Sequence, residues 1–431
     1  MSTIATLTSD NQLREAVAVH HAVHGDPEPI WGELLYRHPR WSATGAHRAV
    51  IDDDRIVALT SVAMWEHRFG DAILPAGEIG LVGTLSDRRN QGYSRALMES
   101  WLETMRAERI PLSFLIGIPN YYERWDYHYA APDHANHFLS IGRDALARCA
   151  VSGASRRPVD AARDIPAILD LIAAEMRHTA GSPALDATLL RYFVDRAAAH
   201  GVDWHVVEGD DGDVSGVIRT KRWTGGTGPQ AAGAIALVAT RDDHARSAIA
   251  AVMLDHLAQG ERDELPLAIA PHGPFARWLY QRGACRRSDR SIYPGGYAAM
   301  YRVNDLPTVL EAVHTTWDDR EITRHLAGTA VTLRTGSDET QVATLEVTQE
   351  EIEIHPGPGG VETDAPPAVS VPWVTGWRSA ADWLDGTPFP PLPGRTFDRG
   401  EPETLPPDAR NLLSMLFPRR HPYVGDTIQG A

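Results

Sequence analysis

The sequence predicts a mixed α/β chain, α+β in its last part, laid out as three consecutive regions of which the first two share one order of elements. Three observations predict it. Residues Glu78–Leu85 read as a strand that ends in the basic, glycine-containing turn Arg89-Asn90-Gln91-Gly92-Tyr93-Ser94 and opens into a helix. The order strand, helix, strand, aromatic-Arg-Trp occurs twice, ending at Tyr122-Glu123-Arg124-Trp125 and again at Phe275-Ala276-Arg277-Trp278. From about Tyr301 the pattern changes to a new helix and short alternating strands, broken by Pro/Gly-rich stretches near Pro356–Gly360 and Pro388–Gly394.

The elements follow in order. Apolar spacing predicts helices over Asn11–His24 and around Ile30–Tyr36, then strands Arg48–Asp52 and Ile56–Arg68 joined by the polar turn Asp53-Asp54-Arg55. After the glycine turn, Leu97, Met98, Trp101, Leu102 and Met105 share one helix face. Leu112–Ile118 is short, apolar and β-like; Tyr121–Tyr127 is a short helix, and His137–Gly142 is a strand closing the first region. In the second region His205–Glu208, Val214–Arg222 and Ala234–Ala239 read as strands. A helix through Ile249, Val252, Met253 and Leu257 follows, then Pro266–Ala270. The third contains a helix from Leu306, strands Ala330–Leu333 and Thr344–Val347, and a turn into a helix over Val374–Leu384. The expected division is 1–150, 151–302 and 303–431.

Composition narrows the function. A hydrophobic share of 43% with 23% charged residues is that of a globular chain. No apolar run approaches the ~20 residues of a membrane span, and Met1–Asp10 lacks the basic start and apolar core of a secretion signal. A cytoplasmic protein with no membrane partner is the expectation. The formal net charge of −16 opposes general nucleic-acid binding. It would draw cationic substrates, although solubility alone explains it equally. Cys149 and Cys285 are too few for a disulfide framework or a cysteine-rich zinc site. His20, His21 and His24, like His134 and His137, lack an evident third ligand, so no metal is expected.

The turn at 88–95 carries the chemistry. A helix N-terminus presents unpaired N–H groups and a positive dipole end to an anion. Gly92 allows close backbone approach, Arg88, Arg89 and Arg95 add charge, and Asn90, Gln91, Tyr93 and Ser94 complete the cradle. Val82, Gly83 and Thr84 at the strand end offer backbone groups to an extended amide chain, or are fully paired within a central strand. The corresponding turn of the second region, Thr240–Ser247, has no glycine and adds Asp242 and Asp243, which repel phosphate. That half is expected to be structural.

The 89–94 segment resembles the Arg/Gln-x-x-Gly-x-Gly/Ala motif with which the GNAT acyltransferase family holds acyl-coenzyme A, with Ser94 in the last place. The three-part layout goes further. Together with Ile118–Tyr127 and Gly376-Trp377-Arg378-Ser379, it resembles the enhanced-intracellular-survival (Eis) acetyltransferases across nearly the whole chain. The resemblance implies tandem GNAT-like domains, the second degenerate, and a C-terminal sterol-carrier-protein-like domain. It implies acetyl-CoA as co-substrate, a small amine such as an aminoglycoside as acceptor, and a homo-oligomer, commonly a hexamer. It places the general acid at Tyr122 and the general base at the terminal carboxylate of Ala431. An aromatic core contact is the other reading of Tyr122. Tyr121, Tyr127 and Tyr129 are other candidate acids, and Asp426 another candidate base. Asp26, Glu28 and Trp31 lie where similar enzymes line the acceptor pocket and would suit a cation, or form an exposed loop. Two rivals remain: another acyl donor or a biosynthetic reaction on the same scaffold, and a non-catalytic protein that binds a cationic ligand.

Overall fold

The computed structural model describes residues 2–25, 28–118, 121–132, 139–151, 155–177, 179–209, 211–223, 233–270, 273–287, 298–335, 341–357, 368–370, 407–416 and 421–422. They form two compact units that do not follow chain order. One comprises 1–67, 74–129 and 300–418, the other 68–73, 130–299 and 419–431.

The first unit is built on one sheet. Its elements are β1 (Thr3–Thr6), α1 (Asp10–His24), α2 (Glu28–Tyr36), β2 (His47–Asp52), β3 (Arg55–Phe69), β4 (Ala72–Thr84), α3 (Tyr93–Ala107) and β5 (Leu112–Gly117). The strands lie in the order β1, β2, β3, β4, β5, followed by Ala298–Val303. Helix α1 starts at a reciprocal cap, in which Ser9 Oγ accepts from Gln12 N–H and the Gln12 side chain accepts from Ser9 N–H. The β2–β3 hairpin turns on Asp53 and Asp54, both at positive φ (50° and 60°), as a two-residue turn with that backbone requires. Helix α3 buries Leu97, Met98, Trp101, Leu102 and Met105, the face the spacing predicts. Burial of each such side chain contributes about 1.5–3 kcal/mol.

The second unit has a similar arrangement. Strands Val202–Glu208, Val214–Lys221 and Ile235–Thr240 are antiparallel neighbours. Helix Asp243–Gln259 then leads to Glu264–Leu267, parallel to the third. Here the strand-to-helix turn is closed by its own carboxylates. Asp242 Oδ1 accepts from the Ala245 N–H at 2.8 Å, and Asp243 pairs with Arg246 and Arg282.

One strand assignment is corrected. Leu139–Gly142, read from the sequence as closing the first region, pairs antiparallel with Glu264–Leu267 and Cys285–Arg287 in the second sheet. Its counterpart beside β5 is Ala298–Val303, from the far end of the second region. Alternating apolar residues specify a strand but not the sheet it joins. The last part of the chain carries a smaller sheet in the order Ile352–Pro356, Gln341–Val347, Ala330–Thr335, Ala368–Ser370, with helices Leu306–His314 and Asp319–Leu326. The expected turn and helix at Val374–Leu384, including Gly376–Ser379, fall outside the described residues.

A buried carboxylate in the second unit gives a measurable signature. Glu175, 4% exposed, places Oε1 at the start of helix Pro274–Gln281, where it accepts from the Phe275 N–H at 3.0 Å. Gly273 makes room, since a Cβ there would collide with that oxygen. Burial pushes the Glu175 carboxyl up to about 7, against the pull of the Phe275 amide, Arg246 and Arg277. The folded state therefore keeps a proton that an unfolded glutamate loses near pH ~4.3. Its stabilising contribution is complete below that pH and is lost as pH rises towards about 7. The unfolding free energy from urea titrations between pH 5 and 8 should fall across this window by on the order of 3 kcal/mol. Glu175→Gln should flatten that slope and be at least as stable as the parent at pH 8; an unchanged slope would place the titration elsewhere.

Candidate active site

Strands β4 and β5 pair in parallel from Ala76↔Leu112 to Glu78↔Phe114, and beyond that register each continues, to Thr84 and Gly117. Within the continuation Leu81 has φ +52°, a costly conformation for a bulky residue. It immediately precedes Val82, Gly83 and Thr84. A Cβ on Gly83 would lie 3.2 Å from Val23 Cγ1, so the last turn of α1 abuts this strand end.

After β4 the Leu85 N–H donates to Val57 O at 3.0 Å, Ser86–Arg88 make one 3-10 turn, and Asn90 takes φ +62°. Gly92 precedes α3 at φ +82°, and a Cβ there would meet nothing within 4 Å. The space above its Cα is open. No side chain caps α3 and its first turn holds no acid, while Ala96 N–H makes the first helical bond, to Gly92 O at 3.0 Å. The N–H groups of residues 93–95 precede it and have no intrahelical acceptor. Ser94 Oγ and Thr84 Oγ1 lie 2.9 Å apart, tying the helix start to the strand end. Exposed Arg89, Asn90, Gln91 and Arg95 border the turn.

Two residues of the turn face inward. Arg88 pairs with Asp52 at 2.7 Å, with Asp53 and Asp87 within 4 Å, so its charge is largely compensated. Tyr93 donates to Gln91 Oε1 at 2.9 Å and packs on Val50, Val57, Ala58 and Leu97. Both brace the loop against β2 and β3.

Tyr122 opens the 3-10 turn Tyr122–Trp125 beyond β5 and is 8% exposed. Its ring lies edge-on to Tyr121 at 4.8 Å, with Trp125 and Tyr127 near. Arg124 stacks over Tyr121 and donates to its carbonyl at 2.8 Å. Tyr127 is fully buried, donates to Ser113 Oγ at 2.8 Å, and has its phenol pushed up to about 12 by burial. It is a core residue unsuited to passing a proton to substrate. The side chain of Tyr129 is outside the described residues.

Trp31 is buried rather than presented to solvent. It stacks on His20 at 4.8 Å and tilts against His24 at 5.1 Å. Burial, then His24 and His47, pushes His20 down to about 3, leaving a neutral ring at physiological pH. Glu28 is exposed in the first turn of α2. Asp26, His134, His137, Asp426 and Ala431 lie outside the described residues. Among the described residues no group of three or more His, Cys, Asp or Glu side chains could hold a metal, and no helix is long and apolar enough to cross a membrane.

Sequence reasoning missed one cluster. Glu78, at the last paired position before β4 and β5 continue apart, is fully buried. Tyr301 stacks on Phe114, the strand partner of Glu78, and shares a 2.8 Å hydrogen bond with His67 Nδ1. Burial pushes His67 down to about 3, while burial and the Glu78 charge push the Tyr301 phenol well up. The available signal was a lone glutamate inside the otherwise uncharged strand β4.

Residues 5–130 match the model of the acetyltransferase (GNAT) domain. No curated protein matches the chain. Among solved structures, a probable N-acyltransferase from Enterococcus faecalis is similar at 14% identity and TM-score 0.68, covering 99% of both chains. A GCN5-related N-acetyltransferase from Kribbella flavida is similar at 15% identity and TM-score 0.67, covering 99% of this chain and 100% of that one. Eis1 from Mycobacterium abscessus is similar at 17% identity and TM-score 0.64, with the same coverage. Such identities show a shared fold along the whole length. The activity comes from the matched domain, whose α3 turn and β4–β5 ends are those described above: the chain is an acyltransferase.

Proposed function

We propose that the chain is an Eis-like N-acetyltransferase that moves the acetyl group of acetyl-CoA directly onto a small cationic amine, an aminoglycoside or another amine natural product. The observation that carries this reading is the uncapped start of α3 behind Gly92, at the end of β4. The residues fit a diphosphate: three unsatisfied N–H groups, an open backbone approach and the exposed guanidinium of Arg89. The free ends of β4 and β5 suit the amides of a pantetheine arm. When bound, the coenzyme supplies a thioester whose acyl carbon accepts the amine nitrogen.

The protein's own groups then move protons. Tyr122 donates to the departing thiolate, and the Ala431 carboxylate, or Asp426, takes the proton of the attacking ammonium. Asp26, Glu28 and the overall negative charge draw the cation. The repeated strand–helix–strand order of the second unit supports a tandem layout, with Asp242 occupying the helix start where a phosphate would sit. The small last sheet stands in the place of the sterol-carrier-like domain, and a cytoplasmic homo-oligomer, a hexamer, completes the reading.

The test is a matrix of acyl-CoAs against amines, following free thiol and the mass of the product. Acetyl transfer to polyamine sugars is the expected result. Turnover of the amine with no CoA ester present would refute the proposal.

A further inference from the structure

On the α3 side of the first unit, away from Gly92, a groove of about 440 Å³ runs between the edge strand β1 and the last turns of α3. Its walls include Ile4, Thr6 and Ala107, and its charged lining residues are Arg48 and Glu103. Arg48 is half-buried and held with unusual care. Its guanidinium lies 3.9 Å from the centroid of the Trp101 ring. Nη1 donates to Ser100 O and Oγ at 2.8 and 2.7 Å, and Nη2 donates to Thr104 Oγ1 at 2.8 Å.

Those bonds use three of the five N–H groups. None of those bonds uses Nε–H, and the Nε–Nη2 edge of a guanidinium is one that takes a carboxylate in two parallel bonds. Among the described residues no carboxylate lies within ion-pair distance of Arg48, while Glu103 and Glu108 act on it from farther off. The result is a positioned cation with hydrogen-bonding capacity unspent, in a groove whose other charge is the exposed Glu103.

The geometry points to a binding site for a small zwitterion, its carboxylate on Arg48, its ammonium on Glu103 and a short apolar side chain against Ile4 and Ala107. A simple anion fits less well. Glu103, Glu108 and the net charge of −16 repel it, whereas a molecule of zero net charge carries no such penalty. An α-amino acid carries both charged groups and a side chain on one carbon. This site is independent of the acyl-transfer reading, because it touches neither the Gly92 turn nor Tyr122.

Equilibrium dialysis with radiolabelled L-leucine, without coenzyme, tests it. Saturable binding is expected, with isocaproate (leucine lacking its ammonium) and isoamylamine (leucine lacking its carboxylate) competing at least about tenfold more weakly. Arg48→Gln should abolish binding, and Glu103→Gln should weaken it by about tenfold or more. Glu103 is an exposed helix residue, so that variant tests the site even if loss of Arg48 loosens α3 from β2. Acetyl transfer by Glu103→Gln should equal that of the parent. No saturable binding up to about 10 mM, isocaproate binding as tightly as leucine, or binding that survives both substitutions would each overturn the assignment. The last outcome would mean that leucine occupies the acceptor site instead.

Discussion

Gly92→Glu is expected to abolish coenzyme A binding while leaving the fold intact. A Cβ at this position meets nothing within 4 Å, so the new side chain starts into open space. Its penalty is therefore paid mainly in the complex. Forcing a non-glycine residue to φ +82° costs about 1–2 kcal/mol. The carboxylate would project where the diphosphate lies, and at ~5 Å with an effective dielectric of ~20 each like-charge pair costs about 3 kcal/mol. The strain is borne by free and bound protein alike and lowers stability, whereas the repulsion weakens binding by about a hundredfold or more. Gly92→Ala carries only the backbone strain, so it should melt lower than the parent and bind coenzyme A nearly as well. Isothermal titration with coenzyme A reads the series, and thermal melts check folding. Unchanged affinity in Gly92→Glu would move the diphosphate off this turn.

Tyr122→Phe should lower kcat strongly and leave coenzyme affinity nearly untouched. The substitution removes one oxygen and keeps the ring that packs against Tyr121, Trp125 and Tyr127. General acid catalysis typically contributes about 10²–10⁴-fold. A thiol leaving group, with a pKa of ~8.5, needs less help than an amine or alkoxide. The expected loss is thus at the lower end, about tenfold to a hundredfold in kcat. If the phenol is the acid, the alkaline limb of the kcat–pH profile should also vanish in the variant. Full turnover with an unchanged profile would remove Tyr122 from the chemistry.

Much of the site could be read before any coordinates. The turn at 89–94, the apolar face of α3 and the acidic, glycine-free turn at Thr240–Ser247 are local, and local chemistry is legible in residue order. Other features depend on contacts between distant segments. Arg88 looked like a phosphate ligand because a basic residue beside a glycine turn usually does. Only the β2–β3 hairpin brings Asp52 to it. Trp31 looked like a ligand wall, but it packs against His20 and His24, one turn apart on α1. The positive φ of Leu81 has no residue-type signature at all, since leucine is chosen there in spite of the backbone. The Glu78–Tyr301–His67 cluster joins residues more than two hundred positions apart.

The placement of Leu139–Gly142 and Ala298–Val303 bears on how the molecule is made. When the ribosome has finished residue 150, β5 still lacks the neighbour that will flank it, which arrives only after roughly as many residues again. Until then a row of main-chain donors and acceptors stands open at the margin of a half-built sheet, a surface prone to pairing with other chains. A fragment cut at 150 would keep the Gly92 turn yet carry this raw margin permanently. Expression of such a piece should yield aggregates, and adding residues 298–303 back as a tethered strand should restore solubility.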